Sequence, residues 1–143
     1  MKIAVSACLL GENCKYNGGN NYSYNLVKIL EKNHVTPICP EVMGGLPTPR
    51  DPAEIVNGVV LTKDGRSVDF EFRKGAKIAL EIVKKYGVDL VVLQYRSPSC
   101  GIGSIYDGTF TGRLTNGNGI FVEILKKEGI RCIDVEDFLN KYS

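Results

Sequence analysis

Five cysteines are the residues of this chain best suited to chemistry: Cys8, Cys14, Cys39, Cys100 and Cys132. Thiolates are nucleophiles and soft ligands for iron or zinc. No two of them lie two or three positions apart, which argues against a thioredoxin-type pair and a compact zinc ribbon. A phosphatase-type loop is also disfavoured, because the required arginine six positions after Cys8 is replaced by another cysteine. Any site that the thiols share must therefore be assembled by the fold.

Four apolar runs predict the strands that would deliver three of these thiols, over residues 2–7, 35–39, 88–93 and 130–135. Their continuous rather than alternating hydrophobicity is typical of a parallel sheet covered on both faces. Cys8 and Cys39 close the first two runs, and Cys100 lies in the loop after the third. Ligands of such sheets bind beyond the carboxyl ends of the strands. We therefore expect these three thiols to converge at one edge.

Helices are predicted between the strands by apolar residues at steps of three and four, over about 22–32, 68–86 and from Ile120 to just before Gly129. Asp134 has the position of an N-cap for a last helix to Tyr142. The alternation predicts an α/β fold, with one domain over 1–143 and a three-layer, open, mostly parallel sheet with helices on both faces, of the Rossmann or flavodoxin-like type. Residues 40–58 and 95–118 fit neither element. Loops of this length are usually functional or disordered, and the many aromatic and special-geometry residues here favour function.

Charge and hydropathy disfavour several classes of protein. Lysine and arginine number 18 against 16 aspartate and glutamate, and they are dispersed along the chain, so we expect no stable nucleic-acid partner. No apolar run is long enough to span a membrane. The apolar N-terminus runs straight into Gly11, Glu12 and Asn13, unlike a signal peptide. We expect a cytoplasmic protein with reduced cysteines, and both a monomer and a homodimer stay open.

Groups that could assist a reaction lie next to the three loop thiols. Three thiolates without a fourth protein ligand leave a metal position open to substrate, as in reactive metal sites. Glu41, two residues after Cys39, could transfer protons. Ser97 and Ser99, just before Cys100, could position water or substrate.

The remaining candidates have two interpretations each. Cys132, in the middle of a predicted strand, is expected to be a core residue. Cys14 lies in a polar turn and is expected to be exposed or at the fringe of the site. Arg50 and Arg96 could bind an anionic substrate group or form ion pairs with two aspartates, Asp51 and Asp107.

Four segments, SACLLGENCKYNGG, CPEVMGGLPTPRDPAE, RSPSCG and YDGTFTG, occur in this order. Together they resemble a bacterial and archaeal family long labelled as a domain of unknown function, whose characterised members are thiouracil desulfidases. The resemblance covers essentially the whole chain. It implies a [4Fe-4S] cluster held by three cysteines, with one iron free for the sulfur of the substrate. The matching ligands are Cys8, Cys39 and Cys100, Glu41 matches the catalytic carboxylate, and its partner is Ser97 or Ser99. Cys14 is treated as dispensable.

The function that the resemblance implies is non-redox desulfuration of a small thiolated base, such as 2- or 4-thiouracil. The open iron would act as a Lewis acid on the thiocarbonyl sulfur, and Glu41 with one serine would activate water. The candidate substrate-binding residues are Arg50, Arg96, Tyr16 and Tyr106. Three alternatives stay open: a sulfur carrier or persulfide-handling protein with the same cluster, a non-catalytic domain in which the cysteines bind a structural metal, and a regulatory ligand-binding module if no metal binds.

Overall fold

The computed structural model describes residues 1–142. The elements follow in the order β1 (Lys2–Ser6), a short 3-10 helix (Ala7–Leu10), α1 (Tyr24–Leu30), β2 (His34–Ile38), α2 (Pro40–Met43), β3 (Ala53–Val56), β4 (Val59–Thr62), α3 (Asp69–Lys85), β5 (Leu90–Leu93), β6 (Ser104–Tyr106), β7 (Leu114–Asn116), α4 (Ile120–Lys127), β8 (Cys132–Asp134) and α5 (Val135–Tyr142).

The central sheet has four parallel strands in the order β2, β1, β5, β8. Val5 of β1 pairs with Pro37 on one side and with Val92 on the other. Because all four strands run in the same direction, their carboxyl ends share one edge of the sheet. The predicted α/β fold with a parallel sheet is confirmed.

Helices cover both faces of this sheet. Ile3 and Val5 of β1 pack with α1 and α5 in one core. Ala4, which points to the opposite face, packs with α3 and α4 in the other core. Alternate residues of one strand thus enter different cores, which explains why its three central residues are all apolar.

The first predicted strand ends earlier than expected. It stops at Ser6, and the chain then tightens into the 3-10 helix that contains Cys8. Gly11 ends this helix in the left-handed conformation (φ 95°), which is open to glycine at little cost. The apolar sequence continues through this turn because Ala7 and Leu9 are also buried.

The stretches 40–58 and 95–118, predicted to lack regular structure, contain α2, β3 and two more strands, β6 and β7. β3 and β4 form an antiparallel hairpin, and β6 and β7 form another. Each of these four strands has three or four residues, and unlike the equally short β5 none of them is buried along its whole length. One signal was present in the sequence: Asn57 and Gly58 form the two-residue turn of the first hairpin, with φ of 49° and 81°.

The short helix α2 packs closely on α3. A methyl group at Gly75 of α3 would lie 1.7 Å from the carbonyl oxygen of Pro40, so only glycine permits this approach. The contact holds the residues that follow β2 against the main helix of that face. Among residues 1–142, no helix is long and apolar enough to cross a membrane.

Candidate active site

A cleft of about 630 Å³ opens at the carboxyl edge of the sheet, beyond β1, β2 and β5. All ten side chains predicted to form the site line this cleft: Cys8, Cys39, Cys100, Glu41, Ser97, Ser99, Arg50, Arg96, Tyr16 and Tyr106. They come from four separate parts of the sequence. The parallel strands bring the three thiols to one edge, and the segments after these strands bring the other side chains there.

The three thiols are each held by the element that follows a strand. Cys8 belongs to the 3-10 helix after β1, and the Asn21 amide donates to its sulfur at 3.6 Å. Cys39 is the N-cap residue of α2, directly after β2. Cys100 lies in the loop after β5 and is buried, with 6% of its surface exposed. The Ser99 hydroxyl lies 3.6 Å from the Cys100 sulfur.

A fourth thiol, Cys14, also lines the cleft, although the sequence placed it at the fringe. Hydrogen bonding with the Cys14 thiol lowers the pKa of Cys39 to about 7, and it lowers the pKa of Cys8 as well. The same contacts raise the pKa of Cys14 itself. The turn 11–20 folds back on the 3-10 helix, since the backbone N–H of Asn21 donates to the Cys8 carbonyl at 2.9 Å. Nothing in the polar residues around Cys14 predicted that return.

The donor set is chemically suited to a metal cluster. Three thiols in one cleft are soft ligands suited to iron and sulfide. Among residues 1–142, no three His, Cys, Asp or Glu side chains are arranged to hold one metal ion. Ligands of a cluster bind different metal atoms and need not surround a single point. Burial raises the pKa of Cys100 to about 12, so this thiol keeps its proton until a metal replaces it.

A buried ion pair and a hydroxyl group form the polar wall of the cleft. Glu41 Oε1 lies 3.1 Å from both Nε and Nη2 of Arg50, and the two side chains are 16% and 8% exposed. The other carboxylate oxygen, Oε2, accepts from the Ser99 hydroxyl at 2.7 Å. The carboxylate is therefore held between a guanidinium and a hydroxyl group.

The two serines have different contacts. Ser99 bonds directly to Glu41, whereas the Ser97 hydroxyl accepts from the Cys100 backbone N–H at 2.7 Å and lies 3.2 Å from the Ser99 hydroxyl. The geometry therefore makes Ser99 the partner of Glu41. Ser97 instead fixes the backbone that carries Cys100.

Arg50 is engaged by the protein on every side. Nη1 donates to the Pro47 carbonyl at 3.3 Å and to the Thr48 hydroxyl at 3.1 Å, and Nη2 donates to the Cys14 carbonyl at 2.9 Å. These three hydrogen bonds and the two contacts to Glu41 occupy all the N–H donors of the Arg50 guanidinium. Arg50 orients the carboxylate and has no donor left for a substrate. Its expected partner in the alternative ion pair, Asp51, binds Arg66 instead at 3.4 Å.

Arg96 remains open to a ligand. Its guanidinium lies 5.0 Å from the centre of the Tyr95 ring, and no carboxylate among residues 1–142 forms an ion pair with it, so the alternative pair with Asp107 is not formed. Tyr16 is 45% exposed at the cleft, and Tyr106 is half-buried there. Cys132 lies in β8, away from the cleft, and packs against the core, as expected.

The fold and the site define the class of this protein. It is a small α/β protein whose parallel sheet carries a cleft lined by thiols and by a carboxylate–hydroxyl pair. The model of the 2-thiouracil desulfurase family matches residues 3–137, and the chain belongs to this family. The family resemblance and the prediction that the chain is an enzyme are therefore confirmed.

Two individual proteins support this assignment. The chain is 38% identical over 148 residues to the uncharacterized protein YbbK of Bacillus subtilis (strain 168), with 96% of this chain and 97% of that protein covered. It is 41% identical to a solved structure described as the [4Fe-4S]-dependent thiouracil desulfidase TudS. That superposition has a TM-score of 0.91 and covers 99% of this chain and 94% of the other.

Proposed function

We propose that this protein is a cytoplasmic enzyme that desulfurates thiolated pyrimidines without net oxidation or reduction, with a [4Fe-4S] cluster as cofactor. The observation that carries the proposal is the 2.7 Å hydrogen bond between Glu41 and Ser99 in a cleft lined by three loop thiols. The similarity to a [4Fe-4S]-dependent thiouracil desulfidase supports both the cofactor and the reaction.

Cys8, Cys39 and Cys100 are the proposed ligands. Each follows a different strand of the sheet, and together the three thiols would hold a four-iron cluster and leave one iron without a protein ligand. When bound, the cluster supplies a Lewis-acidic iron that polarises the thiocarbonyl group of the substrate.

The protein side chains handle water and protons in this proposal. Glu41 accepts a proton from water as the water oxygen bonds to the ring carbon. Ser99 and Arg50 hold the carboxylate in one orientation during this transfer. Overall, the C=S bond is replaced by C=O, water supplies the oxygen, and its two hydrogens leave with the sulfur as hydrogen sulfide. No electrons are gained or lost.

The substrate proposed is a small thiolated base rather than a nucleic acid. The cleft volume of about 630 Å³ lies within the range for small-molecule sites. Arg96, Tyr16 and Tyr106 are the proposed substrate contacts, since they line the cleft and have exposed or half-exposed side chains. We propose no stable nucleic-acid partner and a monomer or homodimer.

The proposal is tested by anaerobic reconstitution with iron and sulfide, followed by measurement of sulfide released from 2-thiouracil. We expect Cys100→Ser to lose both bound iron and activity, and full activity in this variant would overturn the ligand set. Ser99→Ala should bind the same amount of iron as the wild type and lower kcat about 100-fold. Ser97→Ala should lower iron content more than Ser99→Ala does, because Ser97 supports the Cys100 backbone.

A sulfur carrier with the same cluster would give a different result. It would transfer sulfur to an added thiol acceptor or act on thiolated tRNA, and it would release no stoichiometric uracil from 2-thiouracil. We expect equal amounts of uracil and sulfide.

A further inference from the structure

The segments DPAE and YDGTFTG take no part in the proposed chemistry, apart from Tyr106, yet they contact each other beside the cleft. Glu54 of β3 directs one carboxylate oxygen, Oε1, at the loop between β6 and β7. This oxygen accepts from the backbone N–H of Gly108 at 2.9 Å and from that of Phe110 at 3.1 Å. A single side-chain atom thus holds two residues of the loop.

Glu54 is a buried carboxylate without an ion-pair partner among the described residues, which is unusual for a glutamate. It is 9% exposed, and it forms no ion pair with any side chain of the described part of the chain. Backbone N–H groups that converge on one atom can stabilise a buried negative charge. Burying a carboxylate is costly without such partners. That the Glu54 carboxylate is buried and, within residues 1–142, hydrogen-bonded only to this loop implies that it serves to fix the position of the loop.

The loop is also held by close packing and by its own hydrogen bonds. A methyl group at Gly108 (φ 90°) would lie 2.7 Å from the carbonyl oxygen of Ile55, so the loop backbone rests directly on β3. Asp107 accepts from the Thr109 backbone N–H at 3.0 Å and from its hydroxyl at 2.6 Å. These contacts restrict the loop to one shape.

Phe110 is the residue that this shape presents to the cleft. Its φ of 58° is unfavourable for a residue with a bulky side chain and is maintained only where the surroundings impose it. The Phe110 side chain is half-buried and lines the same cleft as Cys8, Cys100 and Glu41. An apolar ring fixed in the same cleft as the proposed reacting groups offers a flat surface for another ring.

We propose that Phe110 is the stacking surface for the heteroaromatic ring of the substrate, and that Glu54 is the positioning residue that holds Phe110 there. This inference rests on the proposed function and adds a basis for selectivity. The thiols and Glu41 can act on any thiocarbonyl group, whereas stacking on Phe110 favours planar aromatic compounds over acyclic thioamides.

The test measures binding of 2-thiouracil and of thioacetamide to cluster-free, reduced protein by NMR titration, and kcat and KM for 2-thiouracil with reconstituted enzyme. We expect Phe110→Leu to raise the dissociation constant and KM for 2-thiouracil about tenfold, or about 1.4 kcal/mol. Its kcat should change less than threefold, and its affinity for thioacetamide should equal that of the wild type. Phe70→Leu is the matched control, because Phe70 is 72% exposed and does not line the cleft.

Glu54 variants separate positioning from a general loss of stability. Glu54→Ala should raise KM and the dissociation constant as Phe110→Leu does. Glu54→Gln should restore most of the affinity, because both N–H groups bind Oε1 and an amide oxygen can take its place. If Glu54→Gln binds 2-thiouracil as weakly as Glu54→Ala, the acceptor geometry is not the cause, and the role of Glu54 is refuted.

The two proposals fail in different ways. An active wild type whose Phe110→Leu variant has unchanged KM and affinity refutes the stacking surface alone. A wild type that binds 2-thiouracil through Phe110 but releases no sulfide refutes the proposed function alone. If the wild-type protein does not bind 2-thiouracil in the NMR titration, the stacking surface is also refuted.

Discussion

Arg50→Met should destabilise this protein far more than removal of an exposed arginine. Arg50 and Glu41 are 8% and 16% exposed, and their charged atoms lie 3.1 Å apart. Removal of one partner of a buried ion pair leaves the other charge without compensation and costs about 3–5 kcal/mol. The whole folding free energy of a domain is about 5–15 kcal/mol. For a chain of this length, such a loss lowers the unfolding midpoint by about 10–20 °C.

The assay is thermal and urea unfolding of the reduced, cluster-free protein, since a bound cofactor would violate a two-state analysis. Arg66→Met is the matched control, because Arg66 and Asp51 are both 63% exposed and such pairs contribute about 1 kcal/mol or less. The double variant Arg50→Met with Glu41→Gln should recover part of the loss, because it leaves no unpaired charge. A loss for Arg50→Met within 1 kcal/mol of that for Arg66→Met, or strictly additive effects in the double variant, would refute the reasoning.

Three further changes test other parts of the molecule. Gly75→Ala would place a methyl group 1.7 Å from the Pro40 carbonyl oxygen, so it should lower the unfolding free energy by at least about 3 kcal/mol; a wild-type melting curve would contradict this. Cys132→Ser should bind as much iron on reconstitution as the wild type, whereas Cys100→Ser should not, and equal iron losses would argue against the assigned ligands. Burial raises the pKa of Asp134, so its charged form destabilises the fold as the pH rises through the acid range. Asp134→Asn keeps the side-chain oxygen that accepts from the Glu136 backbone N–H. The unfolding free energy of this variant should rise relative to that of the wild type between about pH 4 and pH 7. A difference that does not change with pH would disprove the role of the Asp134 charge.

The sequence was sufficient to predict the helices and strands that are long or buried on both faces. α3, predicted over 68–86, spans Asp69–Lys85, because its apolar residues recur on one face and Gly87 follows. The parallel strands were predictable because both of their faces are buried. The strand β7 has three residues that are all exposed, so it leaves no hydrophobic pattern to read. The hairpin of β3 and β4 was overlooked although Asn57 and Gly58 indicate its turn.

The site was predictable to the extent that strand topology determines it. Cys8, Cys39 and Cys100 follow three parallel strands, and that alone predicts a common edge. The positions of Cys14 and Arg50 depend on how irregular segments fold back, and no periodic pattern encodes such a return. Arg50 is placed partly by its own backbone, whose N–H donates to the Tyr16 carbonyl at 2.6 Å.

The hydrogen bond between Glu41 and Ser99 depends on backbone packing more than on its own strength. Glu41 belongs to α2, which touches α3 where Gly75 meets Pro40. Ser99 lies against the start of α4, where a methyl group at Gly119 would be 2.4 Å from the Ser99 carbonyl oxygen. Because α3 and α4 pack together in one core on the same face of the sheet, their relative position determines the 2.7 Å separation of the pair. A side chain at either glycine would displace one partner and not the other, so the two glycines preorganise the proposed proton transfer although neither lines the cleft.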